Sequence, residues 1–160
     1  MELPILAKLK KELADLKHEL TFKIPKDLQT AAAHGDLSEN AEYDAAKSRQ
    51  DFVRSRIGQI EGRVRELSMY TIASIPHGVV GYGSRVTVTE VDSGDEAEYR
   101  IVFPEEVDAG RGHISLSSPL GRAMISKGEG DEIEVQTPGG RRMYQILTLV
   151  TWHDQAQSRE

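Results

Sequence analysis

Asp36 and Glu39, two carboxylates three residues apart, lie in the stretch His34-Gly35-Asp36-Leu37-Ser38-Glu39-Asn40-Ala41-Glu42-Tyr43. Hard oxygen donors suit a divalent cation such as Mg2+, but that ion prefers octahedral coordination and retains several waters. Two carboxylates therefore make a weak site alone, and a metal role requires an ion already held elsewhere. The same spacing has a structural reading. Aspartate followed by glutamate at the third position resembles a helix capping box, with Gly35 supplying the turn backbone. Spacing alone leaves both readings open.

The elements that must position this stretch are legible on either side of it. Leu6, Leu9, Leu13, Leu16 and Leu20 recur at alternating steps of three and four. Tyr43, Ala46, Gln50, Val53, Ile57, Ile60, Val64 and Leu67 continue the pattern afterwards, with Gln50 the one polar member. Such spacing keeps one seam of a helix against a partner helix. Paired antiparallel, Leu6 meets Leu67, Leu9 meets Val64, Leu13 meets Ile60, Leu16 meets Ile57 and Leu20 meets Val53. In every pair the numbers add to 73, which puts the fold-back between Asp36 and Leu37; a shift of one heptad gives other registers, all turning within a few residues of this spot. At about 1.5 Å per residue, a second helix of roughly 30 residues is on the order of 45 Å long. The carboxylates then sit at the end of a narrow arm, which suits reaching into a partner better than enclosing a substrate.

Pro25 interrupts the first leg, because an interior proline removes an amide and clashes with the preceding turn. The expectation is a break or kink at Ile24-Pro25, with Pro25 starting a short segment through Leu28 to Ala33. Lys23 and Gln50 then face each other. Gly58 and Gly62 lie off the seam and read as tolerated surface positions.

The 160 residues include no cysteine, which excludes disulfides, thiolate metal sites and a thiol nucleophile, and fits a reducing compartment. No apolar run approaches the roughly 20 residues that span a bilayer. Met1-Glu2-Leu3-Pro4 lacks the start of a signal peptide. A cytoplasmic protein without membrane association is expected. Residues 1–75 balance 12 Lys/Arg against 12 Asp/Glu, whereas residues 76–160 hold 8 against 14 and carry the whole net charge of −6. An acidic globular half is poorly suited to autonomous binding of duplex nucleic acid, which depends on phosphate neutralisation.

Strand signals begin after Ile75-Pro76-His77-Gly78. Val79-Val80, Val86 to Thr89, Tyr99 to Phe103, Ile114 to Ser117, Ile133 to Val135 and Met143 to Val150 read as strands, with turns at Asp92 to Asp95 and Pro138 to Gly140. Ser118-Pro119 resembles a helix start, for a short helix from Leu120 to Lys127 that stops at Gly128. The fold class is α+β: an antiparallel coiled-coil hairpin over 1–75 with its acidic tip near 34–44, then a small domain over 76–153. That domain is a twisted antiparallel sheet with one short helix, and residues 154–160 form a polar tail. Histidines 18, 34, 77, 113 and 153 show no metal-ligand spacing. Gly78 to Gly83 lacks the context and lysine of a phosphate loop. Arg141-Arg142 reads as a solvated turn.

The tip sequence HGDLSENAEYDAA, residues 34–46, closely resembles the coiled-coil tip motif of the Gre family of bacterial transcript cleavage factors. A second block, ISLSSPLGRAMISKGEGDEIEVQTPGG over 114–140, resembles the same family, and the likeness covers nearly the whole chain. The resemblance implies an FKBP-like second domain that docks on the rim coiled coil of RNA polymerase while the arm enters its secondary channel. It implies that Asp36 and Glu39 help hold a second Mg2+ shared with the polymerase and position water, with no cofactor stably bound to the free protein. The polymerase then cleaves the nascent RNA 3′ end of a backtracked complex, as in two-metal hydrolysis. On this reading the chain is a regulatory factor, monomeric, that completes a hydrolytic site and is not an enzyme by itself.

Asn40, Glu42 and Tyr43 match the tip motif as supporting residues, and Lys47 as an RNA contact. Ser117, Ser118 and Pro119 are candidates for polymerase docking, with helix capping an equal reading of the serines. Ala32 stands where many members carry an arginine, which weakens expected RNA contact and favours action on short backtracked segments. The stretch from Pro25 to Gly35 is also shorter than usual for the family. Two other readings remain: a channel-binding inhibitor of the same architecture without cleavage stimulation, and a prolyl isomerase or chaperone with a helical arm. The latter needs an aromatic-lined pocket, for which the second half offers only Tyr82, Tyr99, Phe103, Tyr144 and Trp152.

Overall fold

The computed structural model of the chain describes residues 2–35 and 40–158. It divides into two compact units, Met1–Ile72 and Ala73–Glu160.

The first unit is a helical hairpin. Helix α1, Pro4–His18, leads through a π-helical turn, Glu19–Lys23, into α2, Ile24–Ala32; helix α3, Ala41–Ser68, returns. At 28 residues, α3 is about 42 Å long. Burial follows the seam. Leu6, Leu9, Val53, Ile60 and Leu67 are buried, and the remaining seam residues from Leu13 to Val64 are half-buried.

Three ion pairs between the legs fit the antiparallel register. Glu12 with Arg56 and Glu19 with Arg49 each stand one residue before a seam position, and Lys17 with Glu61 one residue after. These are the flanking sites that meet when two such helices run antiparallel. Hydrogen bonding from Arg49 holds the Glu19 carboxyl below its ordinary value, and burial opposes it less strongly.

The interruption expected at Ile24-Pro25 takes the form of the π-turn, after which the short helix α2 starts with Pro25 in its first turn, and the chain stays helical throughout. Proline cannot donate to the carbonyl one turn back and its ring crowds that turn. The residues before it widen into the π-turn, which accommodates one extra residue. This also corrects the seam. Ile24, Leu28 and Ala31 carry it on, Ile24 and Ala31 buried, while Lys23 is exposed. Had α-helix continued unbroken from Leu20, the next seam position would have been Lys23.

The second unit is a five-stranded sheet: β1, Arg85–Glu90; β2, Glu96–Val102; β3, His113–Ser115; β4, Glu132–Thr137; β5, Gly140–Val150. Its order is β3-β2-β1-β5-β4. Pairing is antiparallel except for β2 with β3, which run parallel, with Ile101 opposite Ile114. The sheet is therefore mixed where an antiparallel one was expected. The long connection through two 3-10 turns, Pro104–Glu106 and Ala109–Arg111, permits the parallel return.

Alternation along β1 and β4 sends Val86, Val88, Ile133 and Val135 into one core with Val80, Ile101, Ile146 and Met124. Met124 belongs to helix α4, Pro119–Met124, which ends sooner than the Leu120–Lys127 span expected. Val79-Val80 forms no strand, although the Val80 amide and carbonyl bond Lys127 and Ser126. The polar tail expected over 154–160 begins as structure: helix α5, Trp152–Gln157, is capped by Thr151 with Asp154.

Candidate functional site

Asp36 and Glu39 lie outside the described residues, so the site is defined here by the groups flanking them. Helix α3 starts at Ala41, and its N-cap is Asn40, whose Oδ1 accepts from the Tyr43 amide at 3.0 Å. The cap of this helix is therefore not the Asp36–Glu39 box considered from the sequence. Asparagine is among the best caps because its short oxygen reaches an amide that the helix leaves unpaired.

Asn40 has a second role. Its Nδ2 donates at 2.6 Å to the Ala31 carbonyl at the end of α2, which also accepts from the His34 amide at 3.1 Å. One side-chain amide thus joins the end of the ascending leg to the start of the descending one. The two bonds also fix the amide's orientation, since a carbonyl only accepts and an N–H only donates.

A second tie crosses at the same level. His34 Nδ1 and Glu42 Oε2 are 3.1 Å apart, both exposed. Glu42 thereby directs its carboxylate to the ascending leg. Tyr43, half-buried, sits on the seam as its first member on α3. Gly35 has φ +140°, a conformation that L side chains rarely adopt. Lys47 points along α3, its Nζ donating to Gln50 Oε1 at 3.4 Å, and Ala32 is exposed. Among the described residues no group of three or more His, Cys, Asp or Glu could hold a metal ion.

The docking candidates sit on the second unit. Ser118 caps α4, its Oγ accepting from the Gly121 amide at 3.1 Å and donating to the Ser115 carbonyl at 2.6 Å. The Ser117 and Ser115 hydroxyls are 2.7 Å apart. Pro119 is exposed and, with Ile114, Leu120, Val107, Val135 and Pro138, lines an open apolar cleft of about 410 Å³. Ser118 is thus committed to the helix start, while Pro119 is presented outward.

Sequence reasoning named Asn40 as a supporting residue but missed its partner Ala31 and the His34–Glu42 tie. A signal for the cap existed: asparagine immediately before Ala41, with Glu42 and Asp44 in the first turn. The nearer Asp36–Glu39 pattern obscured it.

A two-legged helical arm ending in an acidic segment, with a curled sheet unit following in the chain, defines an arm-bearing two-unit protein. The sequence model described as "Transcription elongation factor, N-terminal" matches residues 5–68, and "Transcription elongation factor, GreA/GreB, C-term" matches 75–150. The chain belongs to the GreA/GreB family of transcription elongation factors. It is 40% identical over 144 residues to transcription elongation factor GreA of Hyphomonas neptunium, covering 90% of this chain and 92% of the relative. It is 42% identical to that of Anaeromyxobacter sp., covering 90% and 87%. Among solved structures, the GreA factor homolog 1 protein of Thermus thermophilus is similar at 26% identity and a TM-score of 0.41, over 90% of this chain and 93% of that one.

Proposed function

We propose that this elongation factor acts on RNA polymerase, inserting its hairpin into the secondary channel and stimulating cleavage of the RNA 3′ end in backtracked complexes. The observation that carries the reading is the double bond set of Asn40, which fastens both helix ends beside the segment holding Asp36 and Glu39. An acidic segment on fastened ends loses less entropy when its carboxylates are positioned than one on frayed helices.

Asp36 and Glu39 supply the hard oxygen donors. Glu42, the nearest described carboxylate in sequence, is engaged by His34, and the ligand role of Asp36 and Glu39 rests on the likeness to the family. The donor chemistry fits Mg2+ but fills only part of an octahedron, so the remaining ligands come from the polymerase. When bound, the ion lowers the pKa of its water and so supplies a nucleophile at neutral pH. The two carboxylates hold and orient, and the arm delivers them. Pro119 and its apolar cleft serve as the contact for the polymerase rim, and Lys47 as a contact for extruded RNA. The protein alone cuts no RNA.

A cleavage assay on stalled, backtracked polymerase tests this. The wild-type chain accelerates cleavage, whereas Asp36→Asn and Glu39→Gln lose most of the effect and still bind the polymerase. Unchanged cleavage in both variants rules out the metal role. Suppression of both nucleotide addition and cleavage by the wild-type chain makes it an inhibitor instead.

A further inference from the structure

The chain has three phenylalanines, and only Phe103 is buried. Phe22 and Phe52, one on each leg of the arm, are 62% and 56% exposed. A lone exposed ring is ordinary on a protein surface, although phenylalanine as a class belongs inside. These two stand at one level. Phe22 lies ten residues before Ala32, the last residue of α2, and Phe52 eleven after Ala41, the first of α3. The Asn40–Ala31 bond holds those helix ends together, so both rings sit on the order of 15 Å below them.

Their neighbours orient the rings without covering them. One turn to either side of Phe52 on α3 stand Ser48, Arg49, Ser55 and Arg56. The serines are too short to shield the ring, and Arg56 is drawn across to Glu12. Arg49 lies over the ring, 5.2 Å from its centroid, and two 2.9 Å bonds to Glu19 fix its guanidinium there. On the other leg the His18 ring meets Phe22 with centroids 4.8 Å apart. Contacts therefore run from Phe22 through His18, its neighbour Glu19 and Arg49 to Phe52.

We propose that Phe22 and Phe52 form an aromatic band on the shaft of the arm that seats against apolar side chains in the wall of the polymerase channel. This rests on the reading that the arm enters that channel.

Charge selects the occupant. Single-stranded RNA sites combine exposed rings with a cationic groove that tracks the phosphates. Here the cation over Phe52 is already committed to the Glu19 carboxylate. Lys23 and Asp51, the charged neighbours of the two rings in sequence, are opposite in sign. An apolar protein surface matches what is left exposed. The cation–π contact orients the Phe52 ring before binding, so less side-chain freedom is lost on seating. Two rings at one level also define a depth of insertion, which a uniformly hydrated shaft does not.

Site-specific photocrosslinking tests the band. A benzoylphenylalanine replaces Phe22 in one preparation of the full chain and Phe52 in another, and each is irradiated on a backtracked polymerase complex. Crosslinks to polymerase protein are expected from both positions. Phe22→Ser combined with Phe52→Ser should raise the factor concentration needed for half-maximal cleavage by about tenfold or more. Phe22→Leu combined with Phe52→Leu should restore most of that loss, because apolar anchors are kept. Thermal melts close to that of the unmodified chain separate weaker seating from unfolding. Crosslinks to RNA alone, or a wild-type concentration dependence in the serine variant, overturn the band and leave the channel reading standing. A wild-type chain that neither binds the polymerase nor stimulates cleavage overturns both.

Discussion

Asn40 and Ala31, nine positions apart in sequence, are joined by a 2.6 Å hydrogen bond from a side-chain amide to a backbone carbonyl. The bond closes the hairpin beneath its tip, and the same side chain caps the returning helix. Asn40→Asp keeps an oxygen for the cap and loses the donor, leaving two oxygens facing each other. Asn40→Ala loses both bonds. We expect each variant to lower hairpin stability by about 1–3 kcal/mol, with the alanine variant losing the cap as well. Chemical denaturation checks the cost. Cleavage stimulation by Asn40→Asp should fall further than its stability loss predicts, since the tip is then fastened on one side only.

The π-turn makes a prediction that an unbroken heptad reverses. Ile24→Ala should cost about 2–5 kcal/mol because a buried side chain is removed. Lys23→Ala should stay within about 0.5 kcal/mol because Lys23 is exposed. Urea midpoints of the two variants decide between the phases; the opposite order of sensitivity would return Lys23 to the seam.

Acid should loosen the hairpin through Glu19. Its carboxyl lies below its ordinary value, chiefly through its bonds to Arg49. A depressed carboxylate contributes stability above its unfolded pKa, and that contribution is lost as pH falls through the folded value. Arg49→Gln should therefore weaken the hairpin near neutral pH and flatten its stability profile between about pH 5 and 3. An unchanged profile would show that the pair adds nothing.

Capping and docking separate on α4. Ser118→Ala should cost about 1 kcal/mol as the cap is lost. Gly121→Ala places a methyl group against the Ser115 carbonyl, which is backbone and yields little, for a cost of about 1–3 kcal/mol. Pro119→Ser should leave stability nearly unchanged while weakening polymerase binding. A pull-down with purified polymerase beside thermal melts checks all three, and tight binding by Pro119→Ser would dismiss the cleft as a docking surface.

The seam from Leu6 to Leu67 was legible because burial on one helix face imposes a period that composition cannot imitate. Its phase beyond Leu20 was not. A one-residue shift leaves no mark in composition, and Lys23 passes for a tolerated polar seam residue beside Gln50. Strand β3 has only three residues, and its parallel partner is set by a connection that local pattern does not encode. Helix α5 is too short and polar to show a period, although its Thr151-x-x-Asp154 box was readable. Asp36 and Glu39 were named from residue type and family likeness, and their flanks supply the geometry next to them.

The π-turn also changes how the arm tolerates insertions and deletions. In an ordinary helix one residue added or removed rotates everything beyond it by about 100°. Within Glu19–Lys23 a deletion can instead convert the wide turn to regular helix, shortening the leg by roughly one residue's rise and leaving Ile24, Leu28 and Ala31 on the same face. Length of the ascending leg and the phase of its seam beyond Lys23 are thereby separate variables.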